Sequence, residues 1–139
     1  MKDPNRKIAI EIYDSTLASV TAKGGHVVID LKPAYIHRST GTPGLDPGGG
    51  WAQDVILRVE NGRIDGAVPE MPCDLWDGSL QVASQTIENI IPLPLDYDGA
   101  VKLILVALDE SRLVVQGSGI SATLAGEPKF IEEFPGISE

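Results

Sequence analysis

Hydrophobic and polar residues alternate with a period of two along most of the chain. In the first such segment, Ile8, Ile10 and Ile12 alternate with Ala9 and Glu11. Similar alternation follows over residues 27–32, 54–59, 79–86 and 120–124. A period of two places every second side chain on one face of a strand. The pattern predicts β-strands, and no segment keeps the period of an amphipathic helix over three turns.

Turn residues separate these segments at regular intervals. The Gly24–Gly25 and Asn61–Gly62 pairs favour the tight turns of β-hairpins. Prolines at every second place over residues 90–95 exclude a central strand and predict an extended edge. Residues 100–108 are almost continuously apolar, as in a strand covered on both faces. We expect about eight to ten strands in an all-β, antiparallel β-sandwich or open β-barrel.

The length and composition fit one domain over residues 1–139. A chain of 139 residues buries roughly two-thirds of its unfolded surface, so one core suffices. Hydrophobic residues make up 42% and charged residues 22% of the chain, which excludes a disordered or coiled-coil protein. We expect residues 1–6 and 135–139 to fray from the two ends of the domain.

Charge and cysteine content restrict the class of partner. Eleven basic and 20 acidic residues give a net charge of −9. Such a surface repels phosphates, so we expect no nucleic-acid partner and no membrane. The single cysteine, Cys73, cannot form an internal disulfide. Because no signal-peptide core and no membrane-length apolar run is present either, the sequence predicts a cytoplasmic protein.

Three motif-like clusters favour structural interpretations. Residues 117–122 match the glycine fingerprint of dinucleotide-binding folds, but no helix-length segment follows them. His26 and His37 lie eleven residues apart without the spacing of a zinc site. Asp96 and Asp98 open a calcium-loop pattern that the next residues do not continue. We therefore expect no catalytic residue, no metal and no cofactor.

The segment 39–50 is the strongest candidate for a binding site. It contains five glycines and two prolines without an apolar period, which predicts a long loop, and long loops are often functional. His37 and Arg38 precede the loop and Trp51 follows it. Arg38 suits a carboxylate or phosphate, His37 exchanges hydrogen bonds near neutral pH, and Trp51 offers a stacking face. The alternative is a loop that only connects two strands.

Two stretches carry a resemblance to known domains. One is Tyr13-Asp14-Ser15-x-Leu17-x-x-Val20 with the glycine hairpin and strand that follow, and the other is the closing segment 113–134. They resemble the opening and ending of small bacterial all-β domains, some of which are immunity-type proteins. The resemblance implies the fold and a bacterial, cytoplasmic setting, and it brings no catalytic residues with it.

These observations lead to two hypotheses of function. The first is a non-enzymatic interaction or binding module, immunity-protein-like, with a protein partner. The alternative is a small-molecule-binding or catalytic β-barrel whose site lies near the 37–51 loop. We also expect a symmetric homodimer, because the apolar strand 100–108 and the edge 90–95 predict more apolar surface than one small domain covers.

Overall fold

The computed structural model describes residues 7–137. Within this range the chain forms ten strands, joined only by antiparallel pairings: β1 (Lys7–Glu11), β2 (Thr16–Lys23), β3 (His26–Ser39), β4 (Gly48–Glu60), β5 (Arg63–Ile64), β6 (Cys73–Val82), β7 (Gln85–Glu88), β8 (Ile90–Leu93), β9 (Asp96–Ala107) and β10 (Arg112–Phe134). The predicted all-β class and strand number are confirmed. Of the residues 1–6 and 135–139 that were predicted to fray, 1–6 and 138–139 lie outside the described residues. Residues 135–137 follow β10, and the Ile137 N–H donates to the Leu45 carbonyl at 2.9 Å.

The strands form one sheet that curves back toward its own beginning. Hydrogen-bonded neighbours follow the order β2-β6-β9-β10-β4-β3-β1-β8, and β2 also pairs with β3. The pairing of β2 with β6 consists of two residue pairs, Thr16 with Asp74 and Leu17 with Cys73. The closure is therefore narrow, and the architecture is an open arrangement of a single sheet.

The core fills the concave side of this sheet. The buried core residues come from eight of the ten described strands, and the largest fully buried side chains include Ile10, Ile29, Leu57, Leu103 and Leu113. Burying one such side chain contributes about 1.5–3 kcal/mol to stability. The strand predicted over 100–108 is the second half of β9, which lies between β6 and β10. That half is therefore an internal element and offers no free edge to a second copy.

Register shifts bend the longest strands. The pairing of β3 with β4 shifts between Leu31 and Ala34, and the pairing of β10 with β4 shifts between Ala125 and Lys129. Such irregularities insert extra residues and increase the local twist of a strand. Beyond its bend, β3 exchanges its partner β2 for β1, and β1 then pairs with β8.

The sheet stays open between β8 and β10. Pairing of β9 with β10 ends at Asp96 and Ser121, after which the Ala122 N–H donates to the Leu95 carbonyl at 3.0 Å. In the described part of the chain, β8 pairs with β1 alone. We call the opening between the outer edge of β8 and residues 122–124 of β10 the seam.

Proline explains why β8 forms no further pairing at the seam. The Ile12 N–H donates to the Asn89 carbonyl, which makes Ile10–Ile91 and Ile8–Leu93 the hydrogen-bonded pairs of the ladder. The nitrogen of Pro92 therefore faces the seam, and it carries no hydrogen. This bears out the edge position predicted from the alternating prolines.

The structure describes no helix in residues 7–137, and so none with the length and apolar character needed to cross a bilayer.

We expect Leu57→Ala to lower the free energy of unfolding by about 2–5 kcal/mol, because it leaves a cavity in the core. Leu57 is 1% exposed. The matched control is Leu45→Ala, in a loop residue that is 51% exposed, with an expected change within about 0.5 kcal/mol. Urea unfolding followed by circular dichroism measures both, and equal losses would contradict this assignment of the core.

Candidate functional site

The predicted site residues lie where β1, β3, β4 and β10 run side by side. Tyr35, His37 and Ser39 point to the outer face of the sheet, whereas Ile36 and Arg38 point to the inner face, because neighbouring side chains on a strand alternate. His37 and Arg38 therefore stand on opposite sides. Each face of the sheet therefore holds its own part of the predicted site.

On the outer face, His37 is held in a buried polar contact. Its ring is 2% exposed, and its Nε2–H donates to Glu11 Oε1 at 2.6 Å. The ring contacts Phe134 edge-on at a centroid distance of 4.8 Å and Tyr35 at 4.9 Å. These contacts join β1, β3 and β10, and among the described residues they leave the buried Nδ1 of His37 without a hydrogen-bond partner.

Tyr35 makes the second polar contact of this face. Its hydroxyl donates to Glu132 Oε2 at 2.8 Å. Burial, and then the bond to the Glu132 carboxylate, hold the pKa of the Tyr35 phenol well above its ordinary value. The phenol therefore remains a protonated donor at every physiological pH.

Glycine makes the crossing from β3 to β10 possible. A Cβ on Gly50 would collide with the Tyr35 hydroxyl, and a Cβ on Gly48 would collide with the Arg38 carbonyl oxygen. The aromatic rings of β3 thus lie over a stretch of β4 that has no side chains. The run Gly48–Gly50, predicted to be loop, belongs to β4 because close approach of neighbouring groups replaces intrinsic strand preference there.

Three carboxylates gather beside this contact network. The pKa of Asp14 is raised by partial burial and then by the negative charges of Glu11 and Glu132. Asp14 also has a φ of 76°, a conformation that Asp and Asn adopt more readily than most residues. The arrangement concentrates negative charge at the turn after β1.

On the inner face, Arg38 and Trp51 are in direct contact. The guanidinium carbon lies 5.7 Å from the centroid of the Trp51 ring, a cation–π geometry. Arg38 Nη2 donates to Gln53 Oε1 at 3.0 Å, and Gln53 Nε2 donates to the Gly126 carbonyl at 2.9 Å. The guanidinium is therefore anchored to β4 and, through Gln53, to the bend of β10.

Trp51 holds an unsatisfied donor. Its indole Nε1 is buried without a hydrogen-bond partner and lies 3.0 Å from the position that a Cβ on Gly49 would take. Phe130 packs edge-on against the same ring at 5.1 Å. A buried donor without an acceptor costs about 1–3 kcal/mol, so an acceptor reaching this point would be stabilised.

The structure brings two of the three predicted residues together. Arg38 and Trp51 touch, whereas His37 faces the other side and pairs with Glu11. The loop predicted between them is shorter, because only residues 40–47 lie outside strands. The sequence analysis did not select Glu11, Tyr35 and Glu132. The signal that could have indicated this face is the pair Tyr35 and His37 at alternate positions of a predicted strand, followed in the sequence by a run of glycines.

The seam contains an apolar groove that sequence reasoning also missed. It has a volume of about 560 Å³ and is lined by seven residues: Lys7, Ile8, Leu93, Pro94, Ala122, Thr123 and Leu124. Ile8, Leu93 and Ala122 also pack against the core. Ile8 is paired with Arg38 across β1 and β3, so the groove begins one strand away from the Arg38–Trp51 contact.

Two smaller depressions have more polar linings. One, of about 430 Å³, lies over the bends of β3 and β10 and includes Lys32, Asp54, Glu127 and Lys129. The other, of about 340 Å³, includes Tyr13, Asp14, Asp74 and Leu108. The first combines charges of both signs, and the described lining of the second carries acidic charge alone. The seam groove has the most apolar lining of the three.

Within residues 7–137 no three His, Cys, Asp or Glu side chains are placed to share a metal ion. Cys73 is a half-buried free thiol, and burial together with Asp109 and Asp74 raises its pKa. A raised pKa keeps the thiol protonated and weakly nucleophilic. Comparisons with protein-family models, with curated proteins and with solved structures found no match to the chain.

The Asp14 carboxyl gives a testable pH dependence. Because its pKa is raised in the folded protein, the stability that it contributes is present below the ordinary aspartate pKa and is lost as the pH rises through the folded pKa. Asp14→Asn removes this titration and tolerates the same φ. We expect the variant to unfold at a higher urea concentration than the native protein at pH 7, and the difference to vanish toward pH 3.

A second variant identifies the source of the effect. Glu132→Gln retains an oxygen acceptor for Tyr35 but removes one of the charges near Asp14. In that background, the gain from Asp14→Asn should be smaller. An Asp14→Asn gain of the same size at every pH would contradict the electrostatic explanation.

Proposed function

We propose that the protein is a non-enzymatic binding module that takes a small apolar molecule in the seam groove. The observation that carries this proposal is the lining: five of the seven residues are apolar and one is charged. The volume of about 560 Å³ is typical of ligand sites, which span about 300–1,000 Å³. Apolar area removed from water on binding would supply the affinity.

The backbone at the seam supports a site that persists without a ligand. Pro92 offers no donor to the opening, and Pro94, directly after β8, has no N–H either. Opposite them, residues 122–124 of β10 keep their pairing with β4. The walls are therefore fixed by strand pairing on their far sides, and a preformed pocket costs little ordering on binding.

The polar groups of the outer face favour a structural role over catalysis. His37 binds Glu11, Tyr35 binds Glu132, and the Ser15 hydroxyl donates to the Glu11 carbonyl at 2.6 Å. A catalytic serine or thiol needs a neighbouring base within hydrogen-bond reach. The hydrogen bonds of His37 and Ser15 lead to strand partners and leave neither group arranged as nucleophile and base.

The second candidate function is the binding of a protein partner, which includes a second copy of this chain in a homodimer. The outer edge of β10 beyond residue 122 is unpaired among the described residues, and Phe130 and Ile131 are exposed there. An unpaired edge can add a strand from another chain. Pro128 and two register shifts interrupt that edge, and such features oppose strand addition, so the observations favour the groove.

The neutral fluorescent probe Nile red tests the proposal. We expect its emission to rise on titration with the native protein, because the groove removes the dye from water. Leu124→Glu places a charge in the groove at a residue that is 37% exposed, so the fold should tolerate it. Burying an unpaired carboxylate is costly, and binding should weaken by about tenfold or more.

Leu108→Glu is the matched control. Leu108 is 65% exposed and belongs to a different depression, so the same substitution there should leave Nile red binding unchanged. Circular dichroism confirms that both variants are folded. Equal binding by Leu124→Glu and the native protein would overturn the proposed function.

A further inference from the structure

The groove has a polar rim and an apolar base. Alternation along the strands places Ile8, Ala122 and Leu124 toward the inner side of the sheet, since they share the face of the core residues beside them. Lys7 and Thr123 occupy the intervening positions and are exposed. The groove therefore passes between two strands, with polar side chains at its outer end and hydrocarbon at its inner end.

The rim differs in charge from the rest of the molecule. The chain carries a net charge of −9, yet among the residues that the structure describes, the only charged one that lines the groove is a cation, Lys7. Its neighbour on the rim, Thr123, adds a hydroxyl that can donate a hydrogen bond. An ammonium and a hydroxyl at the entrance of an apolar cavity complement an anion attached to an apolar body.

We infer that the ligand of the seam groove is an amphipathic acid, with its apolar body in the base and a carboxylate at the rim beside Lys7 and Thr123. This inference rests on the proposed function. The apolar body contributes most of the binding free energy through buried area. The carboxylate fixes the orientation, because its hydration is retained at the exposed rim while the apolar end is removed from water.

Comparison of a charged with a neutral ligand separates the contribution of the apolar base from the contribution of the polar rim. Decanoate and 1-decanol have chains of the same length, and only the former carries a negative charge at pH 8. Each is titrated against the native protein with bound Nile red, and displacement of the dye gives the affinity. We expect both to displace the dye, since both chains fit the apolar base.

The test of the inference is Lys7→Gln. Removing the ammonium should weaken decanoate by about three- to tenfold, as suits a partly exposed ion pair, and leave 1-decanol within about twofold. Lys7→Arg should retain decanoate binding. Lys23→Gln, a change of equal charge on the exposed end of β2, controls for the net charge of the protein and should leave both ligands unaffected.

The outcomes distinguish the inference from the proposed function. If Lys7→Gln weakens both ligands equally or neither, the acid assignment is overturned, while displacement by 1-decanol would still support an apolar site. If neither ligand displaces Nile red and Leu124→Glu leaves the dye bound, the groove is not the site and both proposals fail. Raising the salt concentration should reduce only the decanoate affinity, because exposed charges are screened.

Discussion

The length of β10 is the constraint on which the rest of the structure depends. This strand runs for 23 residues, whereas β9 pairs with it only as far as Ser121. On its other side β4 follows it to Phe134. One edge of the second half is therefore left without its neighbour, and the sheet must either close there with another strand or stay open. The brevity of β8, with Pro92 inside it, leaves it open.

The same mismatch in length places the polar contacts. β3, β4 and β10 continue together past the end of β9. Their far ends form a three-stranded extension, and β1 pairs with the β3 edge of that extension. Tyr35 and His37 reach across β4 to Glu132 and Phe134. These cross-strand contacts on the outer face supplement the core on the inner face of the extension, where Ile10 and Ile36 are buried.

The strands that alternate strictly could be predicted from the sequence. Residues 7–11, 27–31 and 54–59 form strands as the alternation predicts, and the Asn61–Gly62 pair lies at the turn between β4 and β5. Their pattern is local, so a single segment contains the information. Gly48–Gly50 could not be assigned this way, because the groups that approach them closely come from β3 and β10 as well as from β4. The short segment predicted over residues 120–124 is part of the much longer β10, whose register shift between Ala125 and Lys129 resembles a turn in the sequence.

The candidate site was predictable only in part for the same reason. Arg38 and Trp51 could be named as a pair, since each flanks the glycine-rich segment, and they do touch. The partner of His37 could not, because Glu11 lies 26 positions earlier and no local pattern connects the two. The groove combines residues from β1, the end of β8 and β10, so its existence follows from strand order, which a single sequence does not encode locally.

At the seam, the opening and the choice of ligand depend on different parts of the chain. The opening depends on the backbone nitrogen of Pro92, and the choice of ligand depends on the side chains of the groove. The missing hydrogen-bond donor is a property of the backbone at Pro92, and substitutions of the side chains that line the groove do not restore it. Mutational drift at Ala122, Thr123 or Leu124 can therefore change which molecule fits without sealing the opening. A change of ligand can therefore come from the lining side chains alone, whereas replacing Pro92 would return an N–H to the outer edge of β8 and offer β10 a donor.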